Sequence, residues 1–391
     1  MKFRRDLAFV LTALLFSFAF LLFSGMGGFR ARITGSAGGS ALFSASGAQA
    51  ARTPLRARGR VESTDDSMVR TYGSIRQGEQ QLRLSVLSGK FKGSTLDGTN
   101  NLAGKLEVDR YYAPGDEVLL ALDLNEAGTE IVWANAVDHY RTGKTIILVV
   151  LFSAFLVLIS GWTGFKVLVS VLFSGTAIIC VLVPAMLAGR DPLYATLALT
   201  IVLTAVIIFL VAGFTRTGLS AFSGAAGGVL FTAVLSWAFT RWFNLHGAVR
   251  PFAEALLYSG YGHLDLSRLF MSGIFLASSG AVMDLAMDIA VAMAEVKEQQ
   301  PSIPRGILLR SGLTISRHVT GTMVTTLVLA YSAEYTAMLM TFAAQGIPFE
   351  NILNLVFVSS EIVHTFVGCF GLILVAPLTV ACSALVLGRK S

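Results

Sequence analysis

Asp284 and Asp288 stand four residues apart inside LSRLFMSGIFLASSGAVMDLAMDIAVAMA, an apolar stretch long enough to cross a bilayer. At that spacing they share one helix face, one turn from each other. A carboxylate near the middle of a membrane helix costs about 2.5–3.5 kcal/mol on insertion scales, so each must be solvated, neutralised, paired or needed. A cation is at hand in the next apolar stretch, SGLTISRHVTGTMVTTLVLAY, which carries Arg317 and His318 in its first turns. If the two stretches form neighbouring helices, Arg317 lies at a depth similar to that of Asp284, and the three charges can form one cluster. The last apolar stretch adds Glu361 and His364 in SSEIVHTFVG, three residues apart and again on one face.

Two chemistries fit these residues. One is a proton or cation relay in which Asp284 cycles between charged and neutral forms, with Arg317 as charge partner and Asp288, His318, Glu361 and His364 as further candidates. The other is structural: an ion pair near the inner interface joins two helices, helped by Thr320, Thr322, Thr325 and Thr326. His318 alone also fits a packing residue, and Glu361 with His364 fits an interfacial pair near the outer side. His139, His246 and His263 lie in soluble or loop stretches without ligand spacing and read as solvated histidines.

Other chemistries find no signal. Nothing resembles a phosphate-binding glycine loop, a nucleophile elbow or an HExxH zinc helix, so no enzyme active site, cofactor or metal is expected. Cys180, Cys369 and Cys382 fall in apolar segments with no CxxC spacing, which indicates neither a disulfide framework nor a zinc site. Net charge is +6, but the basic residues gather at Arg52–Arg60 and beside apolar segments, where they set topology; no nucleic-acid partner is read from them.

The elements that must position these residues are membrane helices. Of 391 residues, 54% are apolar and only 14% charged, against roughly 25% charged in soluble domains. The expected class is an all-α polytopic membrane protein with about eight spans and one small extracytoplasmic β-rich domain. Residues 1–24, with a basic head and an apolar run from Leu7 to Phe23, fit either a signal peptide or a first spanning helix and are read as an uncleaved membrane anchor; residues 25–55, rich in Gly, Ser and Ala, read as a flexible linker. Residues 56–141 alternate apolar with polar residues in QLRLSVLSG, EVLLALDL and EIVWANAV, separated by turn signals LDGTNN and APGD, as in a small barrel or OB-like module. Residues 144–391 form the membrane domain, with apolar runs near 145–160, 167–188, 193–214, 217–239, 268–292, 311–343 and 352–387. SGAAGG at Ser223–Gly228 marks close helix packing. Basic residues such as Arg4, Arg5, Lys166, Arg216, Lys297, Arg305 and Arg310 outnumber Arg190, Arg241 and Arg250 of the short outer loops. Both termini are therefore expected in the cytoplasm and residues 25–143 outside it. The lipid bilayer is the expected partner; the oligomeric state and any transported substrate or protein partner are not read from the sequence.

GAVMDLAMDI, SGLTISRHVTGTMVTTLVLAY and EIVHTFVGCFGLILVAPLT, with LSGKFKGSTLDGTNNLAG upstream, resemble the YibE/F-like family of bacterial multi-pass membrane proteins. The resemblance implies the membrane architecture and a bacterial inner-membrane location, and carries no settled activity. The chain departs from the family pattern at His318, Thr325 and His364, where members more often have Asp, Asn and Arg. The last three spans also resemble the C-terminal half of SecF, of the resistance-nodulation-division class of proton-driven transporters. That resemblance implies proton flow through Asp284 and Arg317. The function expected is transport, or another membrane process, coupled to proton flow; the alternative is a non-transporting assembly or interaction protein with structural ion pairs.

Overall fold

Strand alternation builds the N-terminal unit of the chain. The computed structural model describes residues 9–15, 17, 55–107, 109–125 and 127–388, which divide at Phe155/Leu156 into two units. In the first, β1 (Leu55–Tyr72), β2 (Ile75–Val86), β3 (Thr95–Ala103), β4 (Glu117–Leu124) and β5 (Ile131–His139) close into a barrel in the order β1-β2-β3-β5-β4. β1 pairs antiparallel with both β2 and β4, and β3 meets β5 through a parallel bridge, Thr99 to Asn135. Every second residue of β2 from Gln80 to Val86 points inward, and Leu82, Leu84, Val86, Val118, Leu120, Leu122 and Tyr112 fill the interior. The β1–β2 hairpin turns at Gly73, whose φ of 62° a side chain would disfavour.

One expectation fails here. LDGTNN, read as a turn, is the middle of β3. Its inward positions are Gly98, Asn100 and Leu102, and the two without apolar side chains have tertiary reasons. A Cβ on Gly98 would lie 2.7 Å from both the Ala134 carbonyl oxygen and Leu84 Cδ1. Asn100 is 6% exposed and donates to Gln80 Oε1 (3.1 Å) and to the Arg110 carbonyl (2.5 Å), while Gln80 donates to the Tyr112 carbonyl at 2.8 Å. A buried polar residue is tolerated in a strand when its bonds are made in this way.

The second unit is helical, and its first helix begins in the chain of the first unit at Thr142. α1 (Thr142–Ala177) continues through a π-turn (Ile178–Leu182) into α2 (Val183–Leu187). There follow α3 (Pro192–Ala212), α4 (Arg216–Trp242), a short α5 (Ala253–Tyr258), α6 (Leu266–Gln299), α7 (Arg305–Glu334), α8 (Thr336–Ala344), α9 (Phe349–Asn354) and α10 (Val356–Leu387). Among the described residues five helical segments are long and apolar enough to cross a membrane, or six when α7 and α8, bent by 55° about Tyr335, count as one. α1 is broken at Gly161 (φ 55°, ψ −131°), and the bend is sharp enough that a Cβ on Gly164 would sit 2.3 Å from the carbonyl oxygen of Leu156, eight residues earlier. In a straight helix those positions are about 12 Å apart. Ile146, Val150, Phe155 and Leu158 of α1 are exposed, apolar surface compatible with contact with lipid.

Small residues let α4 into the centre. A Cβ on Gly224 would meet Thr379 Oγ1 at 2.1 Å, and one on Gly228 would meet Val375 at 2.9 Å, so α4 and α10 pack at glycine distance through SGAAGG. Ser236 donates to the Met271 carbonyl at 2.9 Å, tying α4 to α6. The α4–α6–α10 contact holds Val282, Leu285, Ile289, Met293, Leu372 and Val375. Of the anchor expected over 1–24, residues 9–15 and 17 are helical, with Val10 and Ala13 against Val169, Phe173 and Leu203; the rest of it, and the linker short of Leu55, lie outside the described residues.

Candidate functional site

Helix α6 is amphipathic in an unusual sense. Its covered face carries Val282, Leu285, Ala286, Ile289, Ala290 and Met293, all buried against neighbours. The opposite face carries Gly273, Ala277, Gly280, Asp284 and Asp288, all exposed. The two carboxylates share a face, as their spacing requires, and that face points away from the helices packed on α6.

Arg317 and His318 follow the same rule on α7. The covered positions are Leu308, Gly312, Ser316 and Tyr331; Arg310, Thr314, Arg317, His318, Gly321 and Thr325 are exposed. Among the described residues no ion pair joins Arg317 to Asp284 or Asp288. By helix rise, Asp284 lies about 22 Å and Asp288 about 16 Å from the Gln299 end of α6, and Arg317 about 18 Å from the Arg305 end of α7. The depths match, but the side chains do not meet within the chain. α6 continues seven residues past the apolar run that ends at 292, which sets Asp284 deeper from the helix end than that run implies.

The structure does close a charge cluster elsewhere. Glu361 and His364, on the first turns of α10, meet Arg250 from the turn after α4 and Tyr331 from α7. Arg250 Nη1 donates to Glu361 Oε1 at 2.8 Å, His364 Nδ1 lies 3.9 Å from Glu361 Oε2, and the Tyr331 and His364 ring centroids are 4.6 Å apart. The Arg250 guanidinium also lies 5.5 Å from the Phe270 ring of α6. Tyr331 Oη, Glu361 Oε2, His364 Nδ1 and Thr365 Oγ1 are buried without a hydrogen-bond partner among the described residues. A carboxylate, an imidazole and a phenol gathered around one guanidinium can hold charge and pass a proton over a short path.

Arg250 and Tyr331 were missing from the residues singled out by sequence. The signal that would have found Arg250 is its position: it is a cation in the connection after α4, able to face Glu361 near the start of the last long helix. Tyr331 carries no such mark, since it continues the apolar heptad positions of α7.

A cavity of about 410 Å³ opens where α3 and α6 begin and α4 ends. Its Arg268 is tied to Asp191 and Asp265, its Arg241 stacks over Trp237 at 5.1 Å, and Thr240 is buried with its hydroxyl unpartnered among the described residues. Among the described residues no three His, Cys, Asp or Glu side chains gather as metal ligands would.

No curated protein and no solved structure matches the chain, and the resemblance to SecF finds no support in these comparisons. A family model described as YibE/F-like protein matches residues 148–389, and one described as the YibE/F family N-terminal domain matches residues 58–136. Together they take in the helical unit and the barrel, and the chain belongs to the YibE/F-like family.

Proposed function

We propose that this membrane protein carries out transport, or another membrane process, driven by proton movement through Asp284. The observation behind the reading is that Asp284 and Asp288 sit on the open face of an apolar helix without an ion-pair partner among the described residues. Carboxylates kept at membrane depth and unpaired are spent on function more often than on folding. In this reading Arg317, at a matching depth on α7 but not in contact with them within the chain, is the countercharge, while Glu361, His364 and His318 extend the relay toward either side. No chemical transformation is assigned to the protein.

The architecture that goes with this reading has eight crossings in a bacterial inner membrane. The 46-residue segment Thr142–Leu187 would be about 69 Å long if straight, more than twice a bilayer core of about 30 Å, so it counts twice with its break at Gly161. α3, α4, α6 and α10 add four, the bent α7–α8 pair one, and the N-terminal apolar run the eighth. Both termini then lie in the cytoplasm and the barrel outside, and we take the barrel as an OB-like module for an external ligand, a reading its closed five-strand order supports. Cysteine labelling near Thr99 from outside and near Gln299 from inside tests this; a C-terminus labelled from outside overturns it.

A second reading, an assembly or interaction protein with structural ion pairs, draws on Arg250 and Glu361, which form a closed pair as helix-joining charges do. Proton uptake by liposomes containing the purified protein decides between them. The first reading requires a flux under an imposed pH gradient that Asp284→Asn abolishes; no flux, or equal flux in the variant, leaves the second.

A further inference from the structure

We propose that the exposed faces of α6 and α7 form a homodimer interface in which Asp284 and Asp288 of one copy receive Arg317 of the other. The inference rests on the membrane depth of these helices and not on proton flow. Between Gly273 and Asp288 the open positions of α6 are Gly273, Ala277, Gly280, Asp284 and Asp288; α7 is exposed over much of its surface, and Arg310, Thr314, Arg317, Gly321 and Thr325 are among its exposed positions. Each series steps by four, three, four and four residues, which keeps it on one continuous stripe. One stripe is acidic and small, the other basic, small and hydroxylated. Neither is a surface that lipid solvates well, and each is what the other requires.

The occupant follows from where the charges lie. Measured from the connecting turn, Arg317 is about 18 Å deep, between Asp288 at about 16 Å and Asp284 at about 22 Å. A two-fold axis along the membrane normal leaves every residue at its own depth, so it sets α6 of one copy on α7 of the next with Arg317 between the two aspartates, twice over. An isologous contact of this kind needs complementary patches on one chain, and the two stripes supply them. Room for close approach is present: nothing lies within 4 Å of where a Cβ would stand on Gly273, Gly280 or Gly321. Small residues at such positions let membrane helices pack backbone to backbone.

The test uses two full-length chains with different affinity tags, one carrying Asp284→Lys with Asp288→Asn, the other Arg317→Glu. Pairs of like chains then set lysine against arginine, or aspartate against glutamate, while the mixed pair restores both contacts. Coexpressed in one membrane and extracted in mild detergent, mixed pairs should be recovered at least tenfold over like pairs. Because a charge change can impair insertion, a second measurement keeps the native charges. Gly280→Cys in one tagged chain and Gly321→Cys in the other, with Cys180, Cys369 and Cys382 replaced by serine, should crosslink between copies on oxidation. Preferential recovery of mixed pairs or the crosslink supports the dimer. A wild-type chain that runs as a monomer, or the absence of both signals, overturns it. Flux enters none of these readouts, so failure of the relay would leave the result standing.

Discussion

Arg250 and Glu361 are 111 residues apart in the chain and 2.8 Å apart in the structure, where the turn after α4 meets the start of α10. Glu361 is 16% exposed at its side chain and Arg250 28%, so the pair is largely removed from water. Replacing Arg250 by leucine leaves a carboxylate buried without its cation and should lower stability by about 2–3 kcal/mol, the scale of a lost hydrogen bond to a charged group. Arg250→Leu combined with Glu361→Leu should recover part of that loss. Thermal unfolding of the three proteins in detergent gives the comparison; equal midpoints would show that the pair carries no weight.

Asp284→Asn should behave in the opposite way. The side chain sits on the open face of α6, so in the single chain, with the dimer dissociated, the midpoint should move by no more than the effect of an ordinary surface change, about 0.5 kcal/mol. Flux in liposomes should be lost, and Asp288→Asn, one turn nearer the helix end, should retain more of it. A fall in stability with flux intact would assign the aspartates to helix pairing.

Gly224→Val tests the α4–α10 contact. The new Cβ would approach Thr379 Oγ1 to 2.1 Å and its Cα to 2.7 Å, and backbone cannot swing aside as a flexible side chain does. Overpacking of this sort costs about 1–3 kcal/mol. Gly175→Ala in α1, with nothing within 4 Å, is the control and should be neutral or gain up to about 1 kcal/mol from helix propensity. Equal melting of the two variants would mean that α4 and α10 can separate without loss.

The barrel has its own core, so a fragment of residues 55–141 should give a β-type circular dichroism spectrum and a cooperative melt. An unfolded spectrum would show that its closure depends on the helical unit.

Acid should weaken that fragment through Asp109. The Ala103 N–H donated to its carboxylate at 2.9 Å, reinforced by the Lys105 N–H at 2.7 Å, holds Asp109 below the ordinary aspartate range. A carboxylate depressed in the folded state adds stability that is present above the unfolded value, about pH 3.9, and lost as pH falls through the folded one. Asp109→Asn should therefore melt lower than wild type at pH 7 and lose less than wild type on going to pH 3. Parallel pH profiles for the two would exclude this contribution.

Much of the fold was legible because the signals concerned are local. Hydropathy marks a membrane segment whatever surrounds it, and the helices α3, α4, α6 and α10 appear where apolar runs stand. Strands β4 and β5 lie where alternation placed them, since alternation is a property of a few consecutive residues. β3 escaped for the converse reason: Gly98 and Asn100 look like turn residues until Ala134, Leu84 and Gln80 are set against them. Of the candidate site, the shared face of Asp284 and Asp288 followed from spacing, as did that of Glu361 and His364.

What the amino-acid sequence determined by itself is the class of the protein, the identity of the charges within its apolar helices and the helix face each pair occupies, because these depend on hydropathy and on a period of 3.6 residues. The tertiary structure decided which face each helix presents to its neighbours. It turned Glu361 and His364 inward onto Arg250 and Tyr331, and it left Asp284, Asp288 and Arg317 on the outside of the bundle. The physical reason is that a helix fixes the angle between its own side chains but not its rotation about its axis. That rotation is set by packing, here by the glycines of α4 against α10 and by the apolar side of α6, and packing is a sum over residues far apart in the chain.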